Sequence, residues 1–298
     1  MISVLLPFHN ERENLLQLYN GLTTSLVKLN TPYELIFIDD GSTDNSVQAL
    51  ENKTGNDKVI LIRLEKRLGK GRALNHGLKK AKGDIIVFMD ADLQDDPDDL
   101  PALIAKINQG YDLVNGVRFK RRDNAVIRFY SRMGNRFLAK FLNSPFTDIN
   151  CGFKAFRRSV LDEITLYANN FRFLPLAAYY RGFRVAEIKV HNKPRIHGKS
   201  KYGARKLIFG IFDTSTAYFL YHFAEQPLYF FGIIGGGFFL VGLVMAVILT
   251  IQRLFFGMLL YQRPALLLSA LLIIVGLQIV MTGIIGELIV YVNKRNKS

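Results

Sequence analysis

Short apolar runs alternate with amphipathic stretches along the first part of the chain. The run at 2–6 ends at Pro7, and leucines from Leu15 to Leu29 then recur at helical spacing. Further apolar runs of strand length lie at 34–38, 59–64, 84–89 and 113–115. Further helical patterns lie at 70–82 and 97–108. This alternation predicts an α/β fold, with a mostly parallel sheet flanked by helices on both faces.

Two long uncharged stretches stand near the end of the chain, at 228–252 and 264–286. Each is longer than the roughly 20 apolar residues that a helix needs to cross a bilayer core. Two buried helices of a soluble protein are the alternative, but a core helix rarely stays uncharged for so long. Because the link at 253–263 is short, the sequence predicts a two-helix transmembrane hairpin, with helices at about 228–252 and 264–292.

These patterns divide the chain into three predicted regions. A first domain covers 1–202, a juxtamembrane amphipathic segment covers 203–225, and the hairpin with a short basic tail covers 226–298. The middle segment mixes apolar residues with Arg205 and Asp213. Such a helix can lie in the membrane interface, or it can be a core helix of the first domain, and the sequence favours neither.

Basic residues around the hairpin predict its orientation, because cytosolic loops are enriched in lysine and arginine. Three precede the hairpin and three follow it: Lys201, Arg205, Lys206, Lys294, Arg295 and Lys297. The link carries only Arg253 and Arg263. We therefore expect a membrane protein with two spans, whose first domain and both termini are cytosolic.

Composition narrows the classes of protein further. Hydrophobic residues make up 49% of the chain, charged residues 21%, and the mean hydropathy is +0.14. These values exclude a disordered chain, a collagen and a coiled coil. The net charge of +14 would suit nucleic acid, but no recognition motif is present and anionic lipid explains basic residues beside a bilayer. No nucleic-acid binding is expected. The single cysteine, Cys151, excludes an internal disulfide framework and fits a reducing compartment.

Polar clusters follow three of the predicted strands, at 7–11, 39–44 and 90–94. In open α/β sheets, ligands bind beyond the carboxyl ends of the strands, so the clusters are expected to meet in one cleft. The acids gathered there would repel one another without a cation or hydrogen-bond donors. The sequence therefore predicts a metal site in this cleft.

Alternation within the third cluster indicates which residues bind the metal. Successive side chains of an extended segment point to opposite sides, so Asp90 and Asp92 can both face the cleft and Gln94 can follow. Oxygen ligands of this kind suit Mg²⁺ or Mn²⁺, which proteins usually hold through one or two carboxylates and substrate phosphates. The acids that follow, from Asp95 to Asp99, are expected to form a solvated turn.

A glycine-rich basic segment, GKGR at 69–72, stands at the start of a predicted helix. It does not match a phosphate-binding loop. A helix N-terminus with basic residues can still help to neutralise a diphosphate.

Seven segments carry a resemblance to a known family. The first three are PFHNEREN at 7–14, DDGSTD at 39–44 and DADLQDDP at 90–97. Together they resemble family 2 inverting glycosyltransferases, which implies a GT-A-type fold. The other four are GVR at 116–118, DINCGFK at 148–154, RFLP at 172–175 and PRIHGKSKY at 194–202. They resemble polyprenyl-phosphate glycosyltransferases, including dolichol-phosphate mannose synthases and bactoprenol glucosyltransferases.

The resemblance implies roles for individual side chains. Those that would hold the nucleobase and ribose are Pro7, Asn10, Glu11, Asp39, Asp90 and Ala91. Those that would bind the metal on the donor diphosphate are Asp92 and Gln94, with Asp90 close by. Those with catalytic roles would be Arg118, Asp148, Arg195 and Lys201. Those that would meet the acceptor phosphate are Arg128 or Arg132, together with Ser200.

Several of these roles are more specific. Arg118 would approach the donor or acceptor phosphate, and Asp148 matches a position often called the catalytic base. Arg195, Ser200 and Lys201 lie in a segment that would close over the diphosphate.

The implied activity is transfer of a hexose from a UDP- or GDP-linked sugar to a polyprenyl phosphate, either undecaprenyl or dolichyl phosphate. A phosphate monoester is largely ionised near pH 7, so no strong base is required, and Asp148 can instead orient the acceptor or a cation. One alternative is another family 2 enzyme of polysaccharide synthesis, although the chain has no tryptophan and so lacks the Q-x-x-R-W motif. The other is a membrane-anchored nucleotide-binding protein without catalysis. The sugar, the nucleotide and a homo-oligomeric state stay open.

Overall fold

The computed structural model describes residues 1–51, 58–119, 144–164, 166, 170–193, 216, 219–220, 223, 226–257 and 264–295. Contacts along the chain divide it into two compact units, Met1–Asp213 and Thr214–Ser298. The first, the sheet unit, holds a mixed sheet with flanking helices, and the second holds a pair of long helices.

Within the described residues, seven strands form one sheet. They are β1 Ile2–Phe8, β2 Tyr33–Asp39, β3 Val59–Arg63, β4 Ile85–Phe88, β5 Leu113–Phe119, β6 Lys154–Arg157 and β7 Val185–His191. Their order across the sheet is β3-β2-β1-β4-β6-β5-β7. Four pairings are parallel, and β6 runs antiparallel to both of its neighbours. The predicted mostly parallel sheet is therefore confirmed.

The apolar pattern of the sequence does not predict β6 or β7. Strand β6 has only four residues and starts with the buried Lys154, while β7 carries Glu187 and Lys189 on a half-exposed edge. The predicted strand at 113–115 is too short, because β5 continues to Phe119 by pairing with β7.

Helices cover both faces of the sheet. On one face, α1 Arg12–Val27 and α4 Leu100–Asn108 share an apolar core with the sheet. On the other face lies α3 Lys70–Leu78, so close that a Cβ on Gly77 would be 2.8 Å from Ile38 Cδ1 and 2.9 Å from Leu5 Cδ2. The shorter helices are α2 Gln48–Glu51, α5 Val160–Glu163 and α6 Leu174–Tyr180.

Two helices have ends that differ from the predicted ones. The pattern at 70–82 is helical only to Leu78, and beyond that end the Lys82 amide donates to Glu34 Oε1 of β2 at 2.6 Å. The pattern at 97–108 begins as a 3-10 turn, Pro97–Asp99, before α4.

The second unit is a hairpin of two helices, α7 Pro227–Phe256 and α8 Pro264–Arg295. Within the described residues, Pro227–Phe256 and Pro264–Asn293 are long and apolar enough to cross a membrane, and each contains an 18-residue stretch with a mean hydropathy of 2.5. Large apolar side chains lie on the outside, including Leu254 at 73% exposure and Phe255 at 78%. The predicted hairpin is confirmed, with two candidate membrane helices slightly longer than the uncharged stretches.

Small residues bring the two helices together. A Cβ on Gly235 would lie 2.6 Å from the Gly276 carbonyl oxygen, and one on Gly242 would lie 2.8 Å from the Ser269 carbonyl oxygen. Such contacts are typical of helix pairs in membranes, where large apolar side chains gain little by leaving lipid.

Most of the predicted amphipathic segment at 203–225 lies outside the described residues. Phe219 and Phe223, which are described, pack against Phe230 of α7 with ring centroids 5.3 and 5.1 Å apart. The predicted domain boundaries stay a prediction.

Candidate active site

The polar clusters lie at the carboxyl edge of the sheet, the edge at which its parallel strands end. Strands β1, β2, β4 and β5 all end there, and β6 begins there because it runs in the opposite direction. The segments that follow β1, β2 and β4 therefore lie along the same edge as the segment that precedes β6. This confirms the predicted convergence of the clusters at 7–11, 39–44 and 90–94.

The first two clusters are hydrogen-bonded to each other. The Asn10 amide donates to Ser42 Oγ at 2.9 Å, and the Thr43 amide donates to Asn10 Oδ1 at 2.8 Å. Asn10 has a φ of 56°, in the left-handed region that asparagine tolerates better than most residues. The Glu11 amide donates to Ser46 Oγ at 3.0 Å. The two loops therefore form one rigid wall of the edge.

The two aspartates after β2 shape this wall and the start of α3. Asp39 Oδ1 accepts the Ser42 amide at 2.8 Å. Asp40 Oδ1 accepts the Leu68 amide at 2.6 Å, and its Oδ2 accepts the Gly69 amide at 3.0 Å. Because Gly69 directly precedes α3, these bonds fix the start of that helix. Contact of this wall with a nucleotide stays a prediction.

Asp90 forms an ion pair with a lysine side chain. Lys70 Nζ, in the first turn of α3, donates to Asp90 Oδ1. Loss of water around Asp90 acts to raise its pKa, but Lys70, Arg118 and Arg172 outweigh this and lower it below its ordinary value. Gly152 leaves room for the pair, since a Cβ there would lie 2.6 Å from Asp90 Oδ2 and 3.2 Å from Lys70 Nζ.

The acidic segment after β4 folds back on itself. Asp92 Oδ1 accepts the Gln94 amide at 3.2 Å, and Leu93 between them has a left-handed φ of 59°. Asp95 forms an isolated β-bridge with Asn192 and is only 4% exposed. The prediction that Asp95 belongs to a solvated turn is therefore wrong, because the bridge draws it inward.

Negative charge accumulates around Asp95. Its burial, together with the charges of Asp90 and Asp92, raises the pKa of Asp95 to about 7. Of the acids that follow, Asp96 pairs with Lys193 and Asp99 with His191.

A divalent cation at this edge would have to be bound largely by its substrate. Within the part of the chain that the structure describes, no three or more His, Cys, Asp or Glu side chains group as a metal site. The predicted set is two carboxylates and an amide, from Asp90, Asp92 and Gln94. Oxygen donors of that number suit Mg²⁺ or Mn²⁺, which keep water and bind substrate phosphates.

Arg118 and Asp148 form a bidentate pair at the same edge. Arg118 Nε donates to Asp148 Oδ2 at 2.8 Å, and its Nη2 donates to Oδ1 at 2.9 Å. Burial acts to lower the pKa of Arg118, but the bond to Asp148 outweighs it and raises the pKa above its ordinary value. Both oxygens of the Asp148 carboxylate therefore accept hydrogen bonds from Arg118. Of the three roles predicted for Asp148, namely base, contact with the acceptor and contact with a cation, the geometry favours the last.

Five predicted site residues lie outside the described residues. They are Arg128, Arg132, Arg195, Ser200 and Lys201. Their roles stay predictions.

The prediction of site residues omitted four side chains that lie at this edge. Lys70 stands in the GKGR segment, which the sequence linked only to a diphosphate. Arg172 and Lys154 stand within the segments RFLP and DINCGFK that carried the resemblance, so a signal was present. Glu187 lies on the edge strand β7, and no sequence pattern indicates that it belongs to the site.

The amino-acid sequence matches a known family and a known protein. A sequence model of the family described as Glycosyl transferase family 2 matches residues 3–165. The chain is also 33% identical over 289 residues to the undecaprenyl-phosphate 4-deoxy-4-formamido-L-arabinose transferase of Pseudomonas fluorescens (strain SBW25). That alignment covers 96% of this chain and 83% of the relative.

Solved structures of glucosyl-3-phosphoglycerate synthase from Mycobacterium tuberculosis share the fold. The complex with phosphoglyceric acid matches with a TM-score of 0.58 and 21% identity, over 74% of this chain and 79% of the synthase. The complex with Mn²⁺, UDP-glucose and phosphoglyceric acid matches with a TM-score of 0.58 and 20% identity, over 73% and 79%. These neighbours confirm the GT-A-type fold.

The family model covers more than half of the chain, and the bacterial relative aligns with nearly all of it. The resemblance to polyprenyl-phosphate glycosyltransferases is therefore confirmed, and the chain belongs to glycosyl transferase family 2.

Proposed function

We propose that the protein transfers a sugar from a nucleoside diphosphate sugar to a polyprenyl phosphate at the cytosolic face of a membrane. Support comes from the family and from the relative, whose name specifies undecaprenyl phosphate and a formamido-arabinose. The sugar expected from the sequence is a hexose, carried by UDP or GDP.

The observation that carries this proposal is the meeting of carboxylates and cations at one edge of the sheet. Asp90 and Asp92 follow β4 there, and Lys70, Arg118 and Arg172 lower the pKa of Asp90. A diphosphate and a phosphate are both multiply charged, so a site that joins them needs fixed positive charge. The cations supply that charge, and two of them are held by acids, Lys70 by Asp90 and Arg118 by Asp148.

In the proposed reaction, an oxygen of the lipid phosphate attacks C1 of the sugar. The bond from C1 to the diphosphate oxygen breaks, its electron pair leaves with the nucleoside diphosphate, and the configuration at C1 inverts. The attacking oxygen is already ionised near pH 7, so no protein group has to remove a proton. Asp148 therefore serves to hold Arg118, whose guanidinium faces the phosphate charge.

A divalent cation would be held by Asp92 and Gln94, with Asp90 close by. When bound, it would stabilise the negative charge that grows on the leaving diphosphate. Mn²⁺ is present with UDP-glucose in the mycobacterial synthase, and Mg²⁺ has the same preference for oxygen ligands.

We place the domain at 1–202 on the cytosolic side, with the hairpin as its anchor. The support is the excess of basic residues on both sides of the hairpin over those in its link. An acceptor that is itself a lipid would share the membrane that anchors the enzyme.

The test is transfer by the full-length protein in membranes. Labelled UDP- and GDP-hexoses and a nucleotide-linked formamido-arabinose are each supplied with undecaprenyl or dolichyl phosphate, and the labelled product is identified by mass. A lipid monophosphate that carries one sugar is the expected product. A polymeric product would indicate polysaccharide synthesis, and nucleotide binding without product would indicate a non-catalytic protein.

A further inference from the structure

A row of three polar side chains crosses strands β7, β5 and β6. Glu187 is the register partner of Asn115, and Asn115 is the register partner of Lys154. Asn115 Nδ2 donates to Glu187 Oε1 at 3.2 Å, and Lys154 Nζ donates to Asn115 Oδ1 at 2.8 Å. Asn115 and Lys154 are buried, so these groups depend on protein partners. We call Glu187, Asn115 and Lys154 the polar row.

At one end, the polar row holds the backbone on both sides of Asp148. Glu187 Oε2 accepts the Thr147 amide at 2.9 Å and the Thr147 hydroxyl at 2.7 Å. Glu187 Oε1 accepts the Asp148 amide at 3.3 Å. Asn115 Nδ2 donates to the Asp148 carbonyl oxygen at 3.0 Å. Both peptide groups of Asp148 are therefore fixed by the row.

At the other end, Lys154 holds the segment that continues from Asp148. Its Nζ donates to the carbonyl oxygens of Ile149, at 3.1 Å, and of Cys151. Burial lowers the pKa of Lys154 to about 8. Keeping its charged form inside the protein therefore lowers the stability of the fold. The segment is thus held along its length by side chains of three strands.

The chemistry of Glu187 explains why a carboxylate stands at this position. A carboxylate only accepts hydrogen bonds, and here it faces two backbone amides, a hydroxyl and a side-chain amide. A glutamine would turn an N–H group towards one of these donors. The bonds that Glu187 makes are also stronger because it carries charge.

We propose that Glu187 is a positioning residue for sugar transfer. It acts through the amides of Thr147 and Asp148, which keep the Asp148 carboxylate in its bidentate contact with Arg118. The link to sugar transfer rests on the proposed function, whereas the link to Asp148 rests on the contacts alone.

The test compares Glu187→Gln with Glu163→Gln in the full-length protein in detergent. Glu163 is exposed on α5 and provides the same change of charge. Hydrogen–deuterium exchange of the peptide at 144–150 should become about 10-fold faster in Glu187→Gln, the change expected for loss of a charged hydrogen bond. For sugar transfer, kcat should fall by about 10- to 100-fold while the KM for the nucleotide sugar stays within about twofold. Glu163→Gln should change neither.

Two results would overturn the proposal: unchanged exchange at 144–150, or faster exchange with an unchanged kcat, which would make Glu187 purely structural. If Glu187→Gln does not fold, Thr147→Val removes only the hydroxyl donor from the exposed side, and a two- to fivefold rise in the same exchange is expected. If the unmodified protein transfers no sugar, the proposed function fails, and the exchange measurement still decides whether Glu187 holds Asp148.

Discussion

The two units of the molecule bury opposite kinds of side chain. In the sheet unit, large apolar residues such as Phe37 and Phe88 are buried, and the buried Asp148 carboxylate is paired with Arg118. In the hairpin, many large side chains face outward, and the buried residues include small ones such as Gly235 and Ser269. Each unit is therefore built for its own solvent, water for the sheet and lipid for the hairpin. A change that harms one unit should leave the other intact.

The largest expected effect comes from breaking a charged pair in the sheet unit. Arg118→Ala leaves the Asp148 carboxylate buried without its cation, which typically costs about 3–5 kcal/mol. Calorimetry should show a lower unfolding temperature for the sheet unit and an unchanged hairpin, and sugar transfer should be lost. The paired change Arg118→Met with Asp148→Leu should restore most of the stability and none of the transfer. If Arg118→Ala unfolds at the normal temperature, the pair does not stabilise this edge.

A second change should remove chemistry while leaving the fold intact. Asp92→Asn keeps the shape of the side chain and loses the charge proposed to bind the metal. Transfer should fall by about 100-fold, because such a cation supplies several kcal/mol to the transition state. The assay is a titration with Mg²⁺ and Mn²⁺, with Asp162→Asn on the exposed face of α5 as the control. Normal rates with normal metal dependence would show that Asp92 is not a ligand.

The difference in burial between the two units also explains how much of each unit the sequence predicts. In the hairpin, length and the absence of charge are enough, because lipid imposes one requirement on every exposed position. In the sheet unit, apolar runs predict the central, well-buried strands β1, β2 and β4 and also the edge strand β3. They do not predict β6, whose first residue is a lysine. The motif at 148–154 points to Asp148, yet its pairing with Arg118 depends on the reversal of β6, which no local pattern encodes. Glu187 gives no signal because two of its partners are backbone amides, which every residue type except proline provides.

The packing of α7 against α8 can be disturbed by a substitution that leaves the sheet unit unchanged. A Cβ on Gly276 would lie 2.5 Å from the Phe239 amide nitrogen and 2.7 Å from the Gly235 carbonyl oxygen, whereas one on Gly236 would meet nothing within 4 Å. Gly276→Leu should destabilise the hairpin by about 1–3 kcal/mol, as overpacking does, and Gly236→Leu should not. Thermal unfolding in detergent followed by helical circular dichroism measures this. Transfer to a short soluble acceptor should stay normal in both variants, and its loss in Gly276→Leu would mean that the units are not independent.

The smallest expected effect lies in the wall between the first two loops, at Asp44. Its Oδ1 accepts the Ser46 amide at 3.0 Å and its Oδ2 accepts the Arg12 amide at 3.2 Å. Partial burial acts to raise the pKa of Asp44, but these bonds and that of the Ser46 hydroxyl outweigh it, so the folded-state pKa lies below the ordinary 3.8.

The lowered pKa of Asp44 sets the direction of the pH effect. The stability that its ionised carboxylate contributes is present above pH 3.8 and is lost as the pH falls through the lower, folded-state pKa. Asp44→Asn should therefore exchange faster than the unmodified protein at 40–47 near pH 6, by roughly threefold since solvent screens a half-exposed group. The difference in exchange rate between the two proteins at 40–47 should shrink as the pH falls below 3.8. Exchange in α7 and α8 should be the same in both proteins at every pH. A gap that stays constant down to pH 2 would mean that the shape of the side chain, and not its charge, ties the loop to α1.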